Sequence, residues 1–303
     1  MIMDRRRILT GLGGLALCGV AAPSVASTAI GDYEFLSVSD GNLVLPGAFF
    51  FDGLPADEVA RVLATHGLSA DQLEPPCNLS LLRHADRTVL FDAGSGHAFM
   101  PTAGTLLNSL AAAGEAPGDI THVVFTHGHP DHLWGILDDF DDPVFPNAEI
   151  MIGGVELDYW RDPNTVDTIG ADRAAFAVGA ARRLAAIEDQ LTVFTDGQEI
   201  LPGIQAQASF GHTPGHISFE VRAGGEALLI AGDAIGNHHM AFAHPEWPGG
   251  ADQDQGLAAQ TRARLLDQLA QDQTRVMGFH LPGGGMGRVE RANGAFRFAG
   301  VDA

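Results

Sequence analysis

The chain has 303 residues, 46% hydrophobic and 18% charged, enough to bury the core of one large domain. Its formal charge is −21, and all 17 basic residues are arginine. Such an acidic surface repels phosphate backbones and anionic membranes, which argues against nucleic acid as a partner.

Residues 1–26 read as an export signal. Arg5, Arg6 and Arg7 precede a soft apolar run from Ile8 to Ala22, and Ser24-Val25-Ala26 offers small residues for cleavage. The order Arg-Arg-x-Ile-Leu is similar to a twin-arginine signal, although Asp4 stands where Ser or Thr is usual. The apolar run is short and glycine-rich for a membrane span. The expectation is a mature domain over 27–303, periplasmic or secreted, with no stable membrane association after cleavage. Cys77 is then the one cysteine left, a buried thiol without a disulfide partner.

Downstream, short apolar strands alternate with helices. "YEFLSVSDG" and "NLSLLRH" alternate as half-buried strands do, while "TVLFDAG" and "THVVFTHG" end in turn chemistry. "TAGTLLNSLAAAG" predicts a helix closed by Gly114. After the strand "NAEIMIGG", the spacing predicts helices around 154–161 and 171–187. Strands follow near 191–194, 204–210, 216–222 and 227–231, then a helix over about 255–271 and the strand "RVMGF". Periodicity by itself supports an α/β fold; two strand-rich blocks flanked by helices favour a layered sandwich over a doubly wound sheet.

The chemistry concentrates in "THGHPDH". From this composition, His-x-His-x-Asp-His arises by chance in about 2 of 1,000 chains. The apolar strand "HVVF" delivers the cluster to a strand end, where functional loops sit. His127 and His129, two apart on extended backbone, can share one cation; Asp131 and His132, beyond the turn at Pro130, can reach a second. Imidazole and carboxylate suit Zn²⁺ and similar divalent ions. Four ligands do not complete two sites, so more are expected downstream. His212 of "FGHTPGH", Asp233 of "LLIAGDA" and His280 of "VMGFHLPGG" each stand at a strand-to-loop junction. A closed structural zinc site is commonly cysteine-rich, and cysteine is nearly absent.

In "SVSDGNLVLP", "VLFDAG", "THGHPDH", "FPNAEI", "LDYW", "LPGIQAQASFGHTPGH", "AGD" and "GFHLPGGGMGRVE" the chain resembles the metallo-β-lactamase-fold hydrolases, and among them the methyl parathion hydrolase type. The resemblance implies a four-layer αββα sandwich with the site at one edge, between two sheets. It implies that His127, His129 and His212 hold one metal, that Asp131, His132 and His280 hold the other, and that Asp233 bridges them. Asp92 would support the metal loop, and His216 would brace it from behind the ligands. His66, His84 and His122 read as structural or solvated.

Two cations about 3.5–4 Å apart would activate a shared hydroxide, with Asp131 and Asp233 orienting it or passing a proton to the leaving group. The expected activity is hydrolysis of an ester, lactone or phosphotriester of a small molecule. Asp233 argues against β-lactam hydrolysis, because the true lactamases of this family lack that bridge. A thioesterase or sulfur-handling member, or a non-hydrolytic di-metal protein, are the alternative readings. Zinc is the default metal, though iron, manganese or cobalt would accept the same ligands. The family type is often dimeric, so a homodimer is a further expectation. Trp134, Trp160, His238 and His239 are the candidate substrate contacts. For both tryptophans a core position is the competing reading. For the histidines a polar pocket wall competes with extra metal ligation.

Overall fold

The computed structural model describes residues 26–300, so all but the last residue of the predicted export segment lie outside the described residues. The chain begins with β1 (Ala26–Ile30), β2 (Tyr33–Asn42), β3 (Leu45–Pro46), α1 (Gly47–Phe51), α2 (Ala56–Thr65), β4 (Gln72–Leu73), β5 (Pro76–His84), β6 (Arg87–Phe91), α3 (Leu106–Ala112) and β7 (His122–Val124). It continues through α4 (Pro130–Leu133), β8 (Glu149–Gly153), α5 (Gly154–Arg161), α6 (Thr165–Thr168), α7 (Ala174–Ala186), β9 (Leu191–Phe194), β10 (Glu199–Leu201), β11 (Ile204–Ala208), β12 (Ile217–Ala223) and β13 (Glu226–Gly232). It closes with α8 (Met240–Ala243), α9 (Gln255–Asp272), β14 (Arg275–Gly278), β15 (Met286–Ala292) and β16 (Ala295–Gly300).

Two seven-stranded sheets result, ordered β1-β2-β5-β6-β7-β8-β9 and β10-β11-β12-β13-β14-β15-β16. The period-2 alternation of side chains sorts them into layers. Val89 and Phe91 of β6 and Val124 of β7 point inward to meet Phe219, Ile230 and Met277 of the second sheet. Their neighbours Leu90 and Val123 point outward, under Leu110 of α3 and Ala177, Ala180 and Leu184 of α7. On the opposite face, Leu229, Val276 and Val289 pack against Leu265, Leu266 and Leu269 of α9. Each such side chain contributes roughly 1.5–3 kcal/mol on leaving water. This is the four-layer αββα sandwich, with helices outside two facing sheets.

Chain direction decides where the loops gather. β6 and β7 run parallel, with Phe91 opposite Val124, and β13 and β14 run parallel, with Ile230 opposite Met277. The chain therefore leaves β6 at Asp92, β7 just before His127, β13 at Asp233 and β14 just before His280.

The sequence pattern predicts no element for 47–65, yet this stretch forms α1 and α2. Asp57 and Glu58 in the first turn of α2 suit the positive end of its dipole. Val59, Val62 and Leu63 make a buried stripe at helical spacing that packs on Met240 of α8. Glu58 meets His244 at 2.7 Å, tying α2 to the end of α8. α9 begins where the Asp254 carboxylate accepts from the Leu257 amide at 3.0 Å, and it ends at Gln273, whose φ is 55°.

Candidate metal centre

Seven buried side chains form two adjoining groups: His127, His129 and His212, and Asp131, His132, Asp233 and His280. Within each group the potential ligand atoms lie within 4.8 Å of one another. His129 Nδ1 is 3.0 Å from His127 Nε2 and 2.9 Å from His212 Nε2. Asp233 joins the groups: its Oδ2 is 3.3 Å from both His212 Nε2 and His280 Nε2, and its Oδ1 is 3.4 Å from His132 Nε2. Asp131 Oδ2 is 3.3 Å from His280 Nε2.

Partners behind each imidazole determine which nitrogen faces inward. His132 Nδ1 is 2.7 Å from the Asp92 carboxylate, His212 Nδ1 is 3.0 Å from Asp252, and His280 Nδ1 is 2.8 Å from the Pro76 carbonyl. Those oxygens only accept, so each Nδ1 carries a proton and each Nε2 is the nitrogen turned toward the centre. Thr126 donates its hydroxyl to Asp92, so its oxygen accepts from His127 Nδ1 at 3.0 Å, with the same outcome. His127 Nε2, His129 Nδ1 and His212 Nε2 thus converge on one point. His132 Nε2 and Asp233 Oδ1, both fully buried, have no hydrogen-bond partner among the described residues. Buried orphan polar atoms are expensive, and a divalent cation satisfies both groups. The residues fit two metal ions.

Asp92 and His216 sit behind the ligands. Asp92 adopts φ 65°, a strained value for a non-glycine, and accepts from the Thr126 amide at 2.8 Å as well as from His132. His216 Nε2 accepts from the Asp233 amide at 3.0 Å, and its Nδ1 lies 2.8 Å from Ser209 Oγ. Both ring nitrogens are thereby engaged, which leaves none for a metal. Gly232, at φ 53°, must be glycine: a β-carbon there would lie 2.7 Å from His216 Nε2.

Glu156 and Asp252 were not singled out from sequence. Glu156, 1% exposed, accepts four hydrogen bonds. Its Oε1 takes the Gly128 amide at 2.8 Å and the Trp160 indole N–H at 2.6 Å; its Oε2 takes the Thr213 hydroxyl at 2.7 Å and the Gly215 amide at 3.0 Å. One carboxylate thereby ties the loop carrying His127 and His129 to the loop carrying His212. Burial pushes its carboxyl up, and the four donors oppose that shift. Its only sequence signal is a glutamate four residues before Trp160 on an otherwise mixed helix. Asp252 also pairs with buried Arg262 at 2.7 Å, yet in "ADQDQ" it reads like any solvated acid.

The expected substrate contacts need correction. A cavity of about 360 Å³ opens onto His129, Asp131, Asp233 and His280, and neither Trp134, Trp160, His238 nor His239 lines it. Trp160 is 1% exposed and points from α5 into the core, where its N–H is held by Glu156. A β-carbon on Gly128 would overlap its indole, so Trp160 shapes the metal loop from behind. Trp134 stacks under the Arg183 guanidinium, 4.3 Å from the ring centroid, and edges onto Phe99. His238 packs on His66 with ring centroids 4.8 Å apart, and His239 Nδ1 accepts from the Met240 amide. Cavity walls come instead from Phe49, Phe51, Leu54, Phe99, Phe176 and Met240. Trp160→Phe should therefore lower stability by about 1–3 kcal/mol through the lost N–H and leave substrate preference unchanged. Thermal unfolding and a chain-length series check it; altered preference would return Trp160 to the cavity.

Charge divides the two groups. Burial pushes the His127 and His129 imidazoles well below their ordinary range. Burial also opposes protonation of His132, but Asp233, Asp92 and Asp131 outweigh it and hold the group up at about 10. His280 is raised in the same way, burial being outweighed by Asp233. In the metal-free protein these raised values add stability below about pH 6.5. That stability is lost as pH climbs through about 10. A cation must displace the protons, so loading near pH 7 should release them and affinity should rise with pH. Calorimetric titration in two buffers of different ionisation enthalpy reads the proton count directly; zero protons would refute the charge assignment.

The Metallo-beta-lactamase superfamily profile (Lactamase_B) matches residues 74–280. Metallo-beta-lactamase domain-containing protein 1 of Xenopus laevis is 38% identical over 86 residues, 27% of this chain and 33% of that protein. Its Mus musculus counterpart is 30% identical over 138 residues, 43% of this chain and 47% of that protein. The match thus spans less than half the length of these relatives. Among solved structures, AidC, a dizinc quorum-quenching lactonase in complex with a product, superposes with TM-score 0.87 at 26% identity, covering 92% of this chain and 98% of that one. The hydrolase AbOPH of the beta lactamase superfamily gives 0.85 at 25% identity, with the same coverage.

Proposed function

The chain belongs to the metallo-β-lactamase superfamily, and from that premise we propose that it is a dinuclear metal hydrolase opening a lactone, or cleaving an ester, that carries an apolar acyl group. The observation that carries this reading is the placement of both His/Asp groups against an apolar cavity of about 360 Å³. The likeness to a dizinc lactonase over 92% of the chain supports the bond type. We propose zinc as the metal, from the imidazole and carboxylate donors.

Two cations held here would supply Lewis acidity to the attacked carbonyl and lower the pKa of the attacking water. The residues provide the rest. His127, His129, His132, His212 and His280 enter as neutral imidazoles, and all but His129 are fixed by a partner behind the ring. Asp131 and Asp233 accept the proton of the water and return one to the leaving alkoxide, which conserves protons over the cycle. Phe49, Phe99 and Phe176 exclude bulk water and hold the acyl chain.

The proposal is tested by loading purified protein with zinc and assaying acyl-homoserine lactones of increasing chain length beside an aryl ester, a phosphotriester and an acyl-glutathione thioester. Each added methylene that the cavity buries should raise kcat/KM about fourfold, from ~0.8 kcal/mol per CH₂. Turnover of the phosphotriester alone would favour the finer likeness to the methyl parathion hydrolase type. Two bound metals without turnover of lactone or ester would sink the reading. The arginine-rich leader supports a periplasmic or secreted site of action, tested by fractionating cells that express the full chain. The homodimer remains a proposal, tested by light scattering.

A further inference from the structure

Arg173 is a cavity residue that the metal groups do not explain. It stands just ahead of α7, half-buried, with Phe176 beside it in the wall. The Phe176 ring lies 6.1 Å from that of His129, which sets this turn against the three-histidine group. One Arg173 nitrogen donates to the Gly250 carbonyl at 2.6 Å. A guanidinium carries five N–H donors, so others remain. Among the described residues Arg173 forms no salt bridge, whereas Arg262, the other arginine of the wall, is paired with Asp252 at 2.7 Å.

Stability does not account for an arginine here. Burial lowers its pKa from the ordinary value, and Asp252, Tyr159 and Asp172 compensate in part. Arg173 ends the 3-10 turn Ala171–Arg173 and directly precedes α7, whose first turn holds no acidic residue to pair with it. An apolar side chain would extend the wall formed by Phe49, Phe99 and Phe176 at lower desolvation cost.

We propose that Arg173 is a specificity-determining residue, donating to an oxygen acceptor on the acyl part of the substrate. The cavity then selects an apolar acyl group that bears a second oxygen, a neutral carbonyl or a carboxylate, away from the bond that is cleaved. In assigning that oxygen to the acyl group of an ester or lactone, the inference rests on the hydrolase reading above. A charge-assisted hydrogen bond in a half-desolvated site is worth about 10- to 100-fold in affinity.

The test needs no turnover. Zinc-loaded protein, R173M and R173K are titrated by calorimetry with N-butylhexanamide, with octanoate, and with toluene as a probe of apolar packing alone. Arg173→Met should weaken amide or octanoate binding 10- to 100-fold, R173K should recover part of it, and toluene binding should stay within about twofold. Loss confined to the amide identifies a neutral carbonyl; loss confined to octanoate identifies a carboxylate. Equal affinities in wild type and R173M, or a matching loss for toluene, would overturn the assignment. These titrations stay informative even if no lactone or ester is turned over, so failure of the hydrolase reading and failure of this one are distinguishable.

Discussion

Asp233→Asn is expected to lower kcat/KM by about 10²- to 10⁴-fold, the range seen when a positioned proton-transfer or charge-stabilising group is removed. Asp233 is the side chain that faces both groups, within 3.3–3.4 Å of His132, His212 and His280. Asparagine keeps the shape while removing the charge and replacing one acceptor oxygen with a donor NH₂. That NH₂ faces either a cation, which it cannot ligate, or an imidazole lone pair, which it would occupy with a hydrogen bond and withdraw from the metal. Elemental analysis should find fewer than two metals per chain at limiting zinc. Circular dichroism should stay near native, because the Asp233 backbone amide still donates to His216. Two tightly held metals together with full turnover in this variant would refute the bridging role.

Glu156→Ala should produce the largest loss of stability, about 3–5 kcal/mol. It strands four buried donors at once: the Gly128 and Gly215 amides, the Thr213 hydroxyl and the Trp160 indole N–H. For a chain of this size that lowers the melting temperature by about 10 °C. Both metal loops lose their shared anchor, so zinc affinity should fall about 10- to 100-fold, as when a partner behind a ligand is removed. Should the alanine variant fail to fold, Glu156→Gln keeps the volume and tests the same point. Its single oxygen serves one pair of donors, and its NH₂ opposes the other. Competition with a chelator of known affinity measures the change; unchanged zinc affinity in E156Q would reduce Glu156 to ordinary packing.

The two variants separate chemistry from scaffolding. On the proposed reading Asp233 meets the chemistry directly, so its loss should show in turnover before stability. Glu156 holds backbone, so its loss shows in melting temperature and metal retention first. The same distinction returns Trp160 to a structural role: its N–H is spent on Glu156 and its ring lies behind the loop.

What the sequence by itself determined was the set of metal-capable side chains and the layered α/β plan. Ligation demands particular side chains at short spacing on strand ends, so His127, His129, Asp131 and His132 stand out locally, and His212, Asp233 and His280 follow from the same junction pattern. Long regular elements were legible for a similar reason: "GVELDYWR" and the stretch 255–271 carry local helical periodicity, and α5 and α9 match them within a residue. Only the tertiary structure decided the substrate cavity and the supports behind the ligands. The cavity walls come from 43–54, 99–100, 173–176 and 236–252, segments far apart in the chain and composed mostly of residues common in any core. Glu156 and Asp252 look like solvated acids until long-range packing buries them, and Trp160 looks like a pocket aromatic until α5 turns it inward. Ligand chemistry is written in residue type and spacing, whereas burial and facing direction are properties of contacts between distant segments.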